Sequence, residues 1–372
     1  MPAAPITRFL LQSLFVCCFL IFPCCIGAYA QKGMDEKIDR IITKAMETEE
    51  FPGMAVAVIQ DNKVLFKKAY GVTSRQQKGK VDEQTVFSIG SVSKAFTGVG
   101  VMLLVQQGKI GLDDPIKKYM KNFPKAWNDI SIRQFMTHTS GIPDVKGEKD
   151  ETSFDETVKQ AGKQPMAFTP GQKQQYNNFN FAILGKLIET VSGMTYSVYM
   201  NKQVFSPLQM NRTGVNTVNA NIALGHLVKK GEWKEVASHF RPADYGVPSG
   251  GLQTSLTDFI KLGQALNRNT LLNPKTTNTM WVPYSKKLSN TPGWHSRMSG
   301  GEVVIHKGGG GTGIGSVCDF KIVPSKKLYV IVMANKANNK ISPADITDDI
   351  LLKCFNIPKD TNGANAGEGN EH

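Results

Sequence analysis

The sequence predicts an α+β fold: one antiparallel sheet built from both chain ends, flanked by the terminal helices, with a mostly helical lobe inserted between its strands. Three observations predict it. Strand-like apolar runs lie near both ends, in "GMAVAVIQDNKVLFKKAYG" (53–71) and again in "GEVVIHKGG", "GSVCDFKIVP" and "KLYVIVMAN" (301–335). Helical patterns bracket those runs in "MDEKIDRIITKAMETEE" and "ADITDDILLKCF". Between them, residues 91 to about 245 are mostly helical in pattern.

The elements follow in order. The first thirty residues hold one charge, Arg8, then the apolar "FLLQSLFVCCFLIFPCCIG" and the small-x-small site Ala28-Tyr29-Ala30, the three parts of a cleaved secretory leader. Met34, Ile38, Ile41, Ile42 and Ala45 then recur at helical spacing, so an amphipathic helix is expected. Asp61-Asn62 divides the first apolar run into a hairpin. "SKAFTGVGVMLLVQQG" is apolar almost all round, which predicts a helix buried in the domain and stopped at Gly108. "GLDDP", "HTSGIPD" and "FTPGQ" are turn clusters. The tail "KDTNGANAGEGNEH" has little to bury and reads as disordered. The organisation is therefore a leader at 1–30, one folded unit at 31–358 and a tail at 359–372. Within the unit the sheet lobe takes about 31–87 and 246–358, and the helical lobe about 88–245.

Composition narrows the class. The chain has 372 residues and a net charge of +13, but its lysines are scattered singly and in pairs rather than clustered with aromatics. That argues for solubility or an acidic surface as the reason for the charge, and against nucleic acid. Four of the six cysteines fall in the leader, leaving Cys318 and Cys354 to pair or to stay as buried thiols. No Cys/His cluster has zinc spacing, so neither a metal nor another cofactor is expected.

The chemistry concentrates in three places. Ser91 and Lys94 stand one helical turn apart, so the lysine reaches the serine oxygen. Lys94 is desolvated at the inner end of its helix, which makes its amine available as a base or as a hydrogen-bond partner. The second place is "YNNFNFAILGKLIE", where Tyr176 and Asn178 precede a helix; the third is "VVIHKGGGGTGIGS", where Lys307 enters a run of glycines. A tyrosine, with an ordinary pKa of about 10, acts as a base near neutrality only if cations such as Lys94 and Lys307 stabilise its phenolate. Residues 308–313 match Gly-x-Gly-x-x-Gly, but a strand pattern follows rather than a helix, so the glycines read as backbone that must approach a ligand closely. Their N–H groups could form an oxyanion hole with that of Ser91. His138 reads as a bonded turn residue, His306 as facing away from Lys307, and Ser249 as turn chemistry.

Together these elements resemble the serine β-lactamase and penicillin-binding protein family, particularly its class C branch and related esterases and D-amino-acid peptidases. The resemblance spans nearly all of 35–356, through "PGMAVAVI", "GSVSKAFTGV", "LDDPIKKY", "HTSGIPD", "PSGGLQTSLTD", "HKGGGGTGIGS" and "VIVMANK". It implies the β-lactamase/transpeptidase-like fold, with Ser91 as acylated nucleophile, Lys94 as its partner and Tyr176 as general base. It also implies substrate-binding roles for Asn178 and for Lys307, Gly308 and Gly309 on the Lys-Thr-Gly strand, with Gly310 completing the oxyanion hole. Ser88 stands where class C enzymes usually carry an acid, and Gly308 lacks the hydroxyl that helps hold a substrate carboxylate. The implied protein is a periplasmic or secreted monomer without a retained membrane span. It opens β-lactams, or else hydrolyses esters or D-Ala peptides, or is a penicillin-binding receptor that stays acylated.

Overall fold

The computed structural model describes residues 32–145, 153–215, 217, 221–236, 244–285 and 287–359; the expected leader and nearly all of the expected tail lie outside them. Helix α1 covers residues 32–49. Strands β1 (Gly53–Gln60) and β2 (Lys63–Gly71) form the expected hairpin. Asp61 and Asn62 both take positive φ (49° and 66°), the geometry that a two-residue turn between right-twisted strands requires.

After β3 (Val86–Ser88) the chain enters α2 (Ser93–Gln106), followed by α3 (Asn178–Ser192), the hairpin β4 (Gly225–Lys229) and β5 (Glu232–Val236), then β6 (Gln253–Ser255) and α4 (Leu256–Arg268). The last part supplies β7 (Asn290–Thr291), β8 (Trp294–Ser299), β9 (Glu302–Gly311), β10 (Ser316–Val323), β11 (Leu328–Ala334) and α5 (Pro343–Phe355). Seven of these strands form one antiparallel sheet in the order β2-β1-β11-β10-β9-β8-β7. The two chain ends meet in it where the N-terminal β1 pairs with the C-terminal β11, in register from Met54↔Ala334 to Gln60↔Leu328. The α+β fold expected from the sequence is the one observed.

Alternation along the strands explains the layers. On β1, Met54, Val56 and Val58 pack with Ile38 and Ile42 of α1 and Ile346 and Ile350 of α5, while Ala55, Ala57 and Ile59 face the other way into the larger core. On β11, Val330 and Val332 join the first layer, and Tyr329, Ile331 and Met333 the second. Helix α2 is the spine of that second core. Phe96, Val99, Val101, Met102 and Leu104 are fully buried on it, and each contributes about 1.5–3 kcal/mol through burial, so the helix is a fixed base for what its N-terminus carries.

Two details depart from the sequence reading. The inserted lobe contains the β4–β5 hairpin in addition to its helices. The sheet also continues past β9 into β8 and β7, where "WHSRMS" is too polar to read as a strand because it lies near the sheet edge.

Candidate active site

Ser91 does not lie in the α-helix. It sits in a single 3₁₀ turn, Gly90–Val92, and α2 begins at Ser93. The turn is fixed by its neighbours: Ile89 N–H donates to Leu252 C=O (3.2 Å), and Leu252 N–H donates to Ser93 Oγ (3.0 Å). Residues i and i+3 nearly eclipse in such a turn, and Lys94 Nζ donates to Ser91 Oγ at 3.1 Å. The same ammonium also donates to Asn178 Oδ1 (2.7 Å) and to the Ser249 carbonyl (2.7 Å). Lys94 is completely buried, where an uncompensated charge would cost several kcal/mol. One acceptor for each N–H offsets that cost, so the geometry uses Lys94 as a hydrogen-bond donor.

Tyr176 arrives from the other side. Its hydroxyl shares a 2.5 Å hydrogen bond with Ser91 Oγ. The "HTSG" turn holds it there. Gln175 N–H donates to His138 C=O (2.9 Å), Asn177 N–H donates to His138 Nδ1 (3.2 Å), and Ser140 Oγ donates to Asn180 Oδ1 (2.7 Å). Asn177 caps α3 by accepting from Phe179 N–H (2.8 Å), which leaves Asn178 as the first helical residue, pointing at Lys94. The His138 ring stacks on Tyr176 with centroids 4.8 Å apart. Burial, reinforced by Lys307 and Lys94, pushes His138 well below the ordinary histidine value, so the ring against Tyr176 is neutral.

The third wall is β9. Lys307 Nζ lies 5.4 Å from the centre of the Tyr176 ring, and Lys94 Nζ 4.7 Å from it. Two cations thus flank the tyrosine, as the sequence reading required. Gly309 explains the glycine run: a Cβ there would lie 2.4 Å from both Ile89 O and Val92 N and 2.7 Å from Ser91 N. The nucleophile's turn therefore rests directly on strand backbone. Gly90, with φ 48°, closes the same contact, since its Cβ would lie 2.5 Å from Gly310 N. Gly308 is half-buried on the same strand, opposite Asp319.

The structure thus gathers Ser91, Lys94, Tyr176, Asn178, Lys307, Gly309 and Gly310 at one point, with Gly308 in the adjoining step of the strand. Sequence reading missed two contributors. The Ser249 carbonyl holds Lys94, while its hydroxyl donates to Gly246 C=O (2.8 Å) as expected of a turn residue; a main-chain acceptor leaves no residue signature. His295 on β8 lies 3.0 Å from Lys307 Nζ, and His306 stacks on His295 at 5.2 Å. Ser88 is buried outside this cluster, near Gln253 Nε2 (3.4 Å), and its carbonyl accepts from Ser316 Oγ (2.9 Å). Cys318 and Cys354 are free thiols. Among the described residues, no group of His, Cys, Asp or Glu is placed to hold a metal ion, and no helix is long and apolar enough to cross a membrane.

The chain and its fold are similar to several known proteins. The chain is 29% identical to a beta-lactamase of Escherichia coli K12 over 89% of its own length and 96% of the relative's. It is 27% identical to protein Flp of Staphylococcus aureus N315, over 83% of this chain and 64% of Flp. Among solved structures, the octameric penicillin-binding protein homologue from Pyrococcus abyssi superposes with a TM-score of 0.74 at 24% identity, covering 86% of this chain and 76% of that one. SurE superposes equally well, at 0.74 and 22% identity over 88% and 76% of the two chains. At such identities the superpositions speak for the fold alone. The family model described as Beta-lactamase matches residues 38–352, from the first helix to the last. With nearly the whole described chain inside that match, the protein belongs to the beta-lactamase family of serine hydrolases and penicillin-binding proteins.

Proposed function

We propose that the protein forms an acyl-enzyme at Ser91 and that its reaction is β-lactam hydrolysis by the class C route. The observation that carries this reading is the convergence of Lys94 Nζ and the Tyr176 hydroxyl on one serine oxygen. Ser91 Oγ attacks the carbonyl carbon as its proton passes to the oxygen of Tyr176, which acts as phenolate. The negative charge that the phenolate carries before the transfer is stabilised by the ammonium groups of Lys94 and Lys307 beside its ring. The N–H groups of Ser91 and Gly310 receive the carbonyl oxyanion. Tyr176 then returns the proton to the departing ring nitrogen, and in the second half it deprotonates the water that releases the acyl group. Asn178 keeps Lys94 in place and is positioned to meet the substrate amide.

A second reading, hydrolysis of an ester or a D-Ala peptide by the same residues, is favoured by Gly308, whose missing hydroxyl weakens the grip on a substrate carboxylate. We further propose export with 1–30 as leader, 31–358 as one catalytic unit and a monomeric enzyme. Light scattering tests the last point, given that the Pyrococcus abyssi homologue is described as octameric.

The deciding experiment mixes the purified protein with a chromogenic cephalosporin, a short-chain p-nitrophenyl ester and a D-Ala-D-Ala peptide, recording turnover and intact mass. Sustained cephalosporin turnover supports the lead. Ester or peptide turnover alone supports the second reading, and a stable adduct without turnover indicates a receptor. Ser91→Ala is expected to lose at least about 10³-fold in kcat and to form no adduct; full activity in that variant would remove the site assignment altogether.

A further inference from the structure

Lys307 is long, flexible and almost wholly buried, at 2% exposure. An ammonium on such a stem needs something to fix its direction, and β9 supplies only its root. His295, 5% exposed, comes from the neighbouring strand β8, where it pairs with His306 of β9 and with Asn290 of β7. Its Nε2 lies 3.0 Å from Lys307 Nζ.

We infer that His295 is a positioning residue, whose neutral imidazole accepts a hydrogen bond from Lys307 at Nε2 and thereby aims that lysine at Tyr176 and the substrate. This rests on the role given to Lys307 above. For Nε2 to accept, the ring proton must sit on Nδ1.

The surroundings enforce the neutral form. The titratable groups facing His295 are Lys307 and His306 from β9, His138 from the "HTSG" turn, and Lys94 from α2. Burial first, and these cationic or cationisable neighbours next, push His295 well below the ordinary histidine value. The neighbouring strand β7 and the turn that joins it to β8 are in turn tied to the loops that carry Tyr176. Asn290 Nδ2 donates to Thr137 C=O (3.1 Å), Asn290 N–H donates to Gln174 Oε1 (3.1 Å), and Gly293 N–H donates to Met136 C=O (3.1 Å). His295 therefore couples the cation on β9 to the same frame that sets the tyrosine. The stacked His306 ring limits its rotation.

The tautomer is the direct test. In protein labelled with ¹⁵N-histidine, long-range ¹H–¹⁵N correlation is expected to show His295, assigned through its loss in His295→Gln, as neutral with Nε2 unprotonated at pH 7.5. A protonated Nε2 there overturns the inference, and this readout does not depend on turnover. Kinetics give the second arm. With rates normalised to active sites titrated by acyl adduct, His295→Leu is expected to lose roughly 10- to 100-fold in kcat/KM. His295→Gln, which keeps an acceptor at similar reach, is expected to recover most of that loss. Wild-type kcat/KM in His295→Leu, or an equal loss in both variants, overturns the inference. Failure of the wild-type protein to acylate at Ser91 would instead remove the acyl-enzyme reading, leaving the tautomer to decide on His295.

Discussion

Gly309→Ala isolates the contact on which the proposed mechanism depends. The added methyl would meet three backbone atoms of the nucleophile's turn, Ile89 O and Val92 N at 2.4 Å and Ser91 N at 2.7 Å, whereas ordinary contacts of a Cβ begin at 3.4 Å. Relief requires the turn and β9 to part by about 1 Å, and neither side is a flexible side chain that could swing away. Overpacking of this kind costs about 1–3 kcal/mol in stability. The larger consequence is for catalysis, because a misplacement of about 1 Å at a reacting group costs on the order of 100-fold. The assay is the rate of adduct formation on Ser91 by mass spectrometry, with thermal unfolding in parallel. Gly313→Ala is the control from the turn that follows β9, since a Cβ there meets nothing within 4 Å; its unfolding is expected within about 0.5 kcal/mol of wild type. If Gly309→Ala acylates within threefold of wild type and melts at the same temperature, the close approach of turn and strand does not set the nucleophile, and the reasoning fails.

Stability should also depend on pH. His138 and His295 are held neutral below the value of about 6.5 that they recover on unfolding, so between their folded values and pH 6.5 the unfolded chain binds more protons. Stability should therefore fall as pH drops below about 6.5, by up to about 1.4 kcal/mol per pH unit for each ring, and show no contribution from them above it. Urea midpoints measured from pH 7.5 to 5 check this, and a curve flat through that window would contradict it. Beneath the sheet, Asp348 accepts from Lys321 (2.6 Å) and from Arg297, while Lys321 is 1% exposed. Asp348→Ala is expected to cost about 3 kcal/mol by chemical denaturation, because it strips a partner from a buried cation; a cost below about 1 kcal/mol would show that Asp319, 3.7 Å from Lys321, and the Ala344 carbonyl (2.7 Å) suffice together.

The sheet lobe was legible because β1, β10 and β11 are buried strands with apolar runs, and the terminal helices because their apolar stripe recurs at helical spacing. Ser91 and Lys94 were legible because one turn of helix or of 3₁₀ brings i and i+3 together alike, so it makes no difference that Ser91 sits in a 3₁₀ turn just before α2. That Tyr176 and Lys307 would meet them came from residue chemistry and family resemblance together, since a separation of 85 residues between Ser91 and Tyr176 has no local rule. What stayed hidden was main-chain or edge chemistry. The Ser249 carbonyl belongs to no residue type, and His295 lies in a polar stretch with no strand periodicity; the strand pairing sets it opposite His306, and only the folded side chains disclose that it reaches Lys307.

The placement of β1 between β2 and β11 has a consequence for how the protein comes into being. Residues 53–60 can pair with β2 as a local hairpin, but they join the strands that lead to Lys307 only once residues 328–334 exist. Such long-range closure is slow to form and leaves little for a partial chain to do. A ribosome-bound or truncated product ending before β11 would hold the serine, its lysine and the tyrosine yet have no working centre. Activity should therefore appear abruptly with the last strand, and a C-terminal deletion that removes residues 328–334 should silence the protein as completely as loss of Ser91.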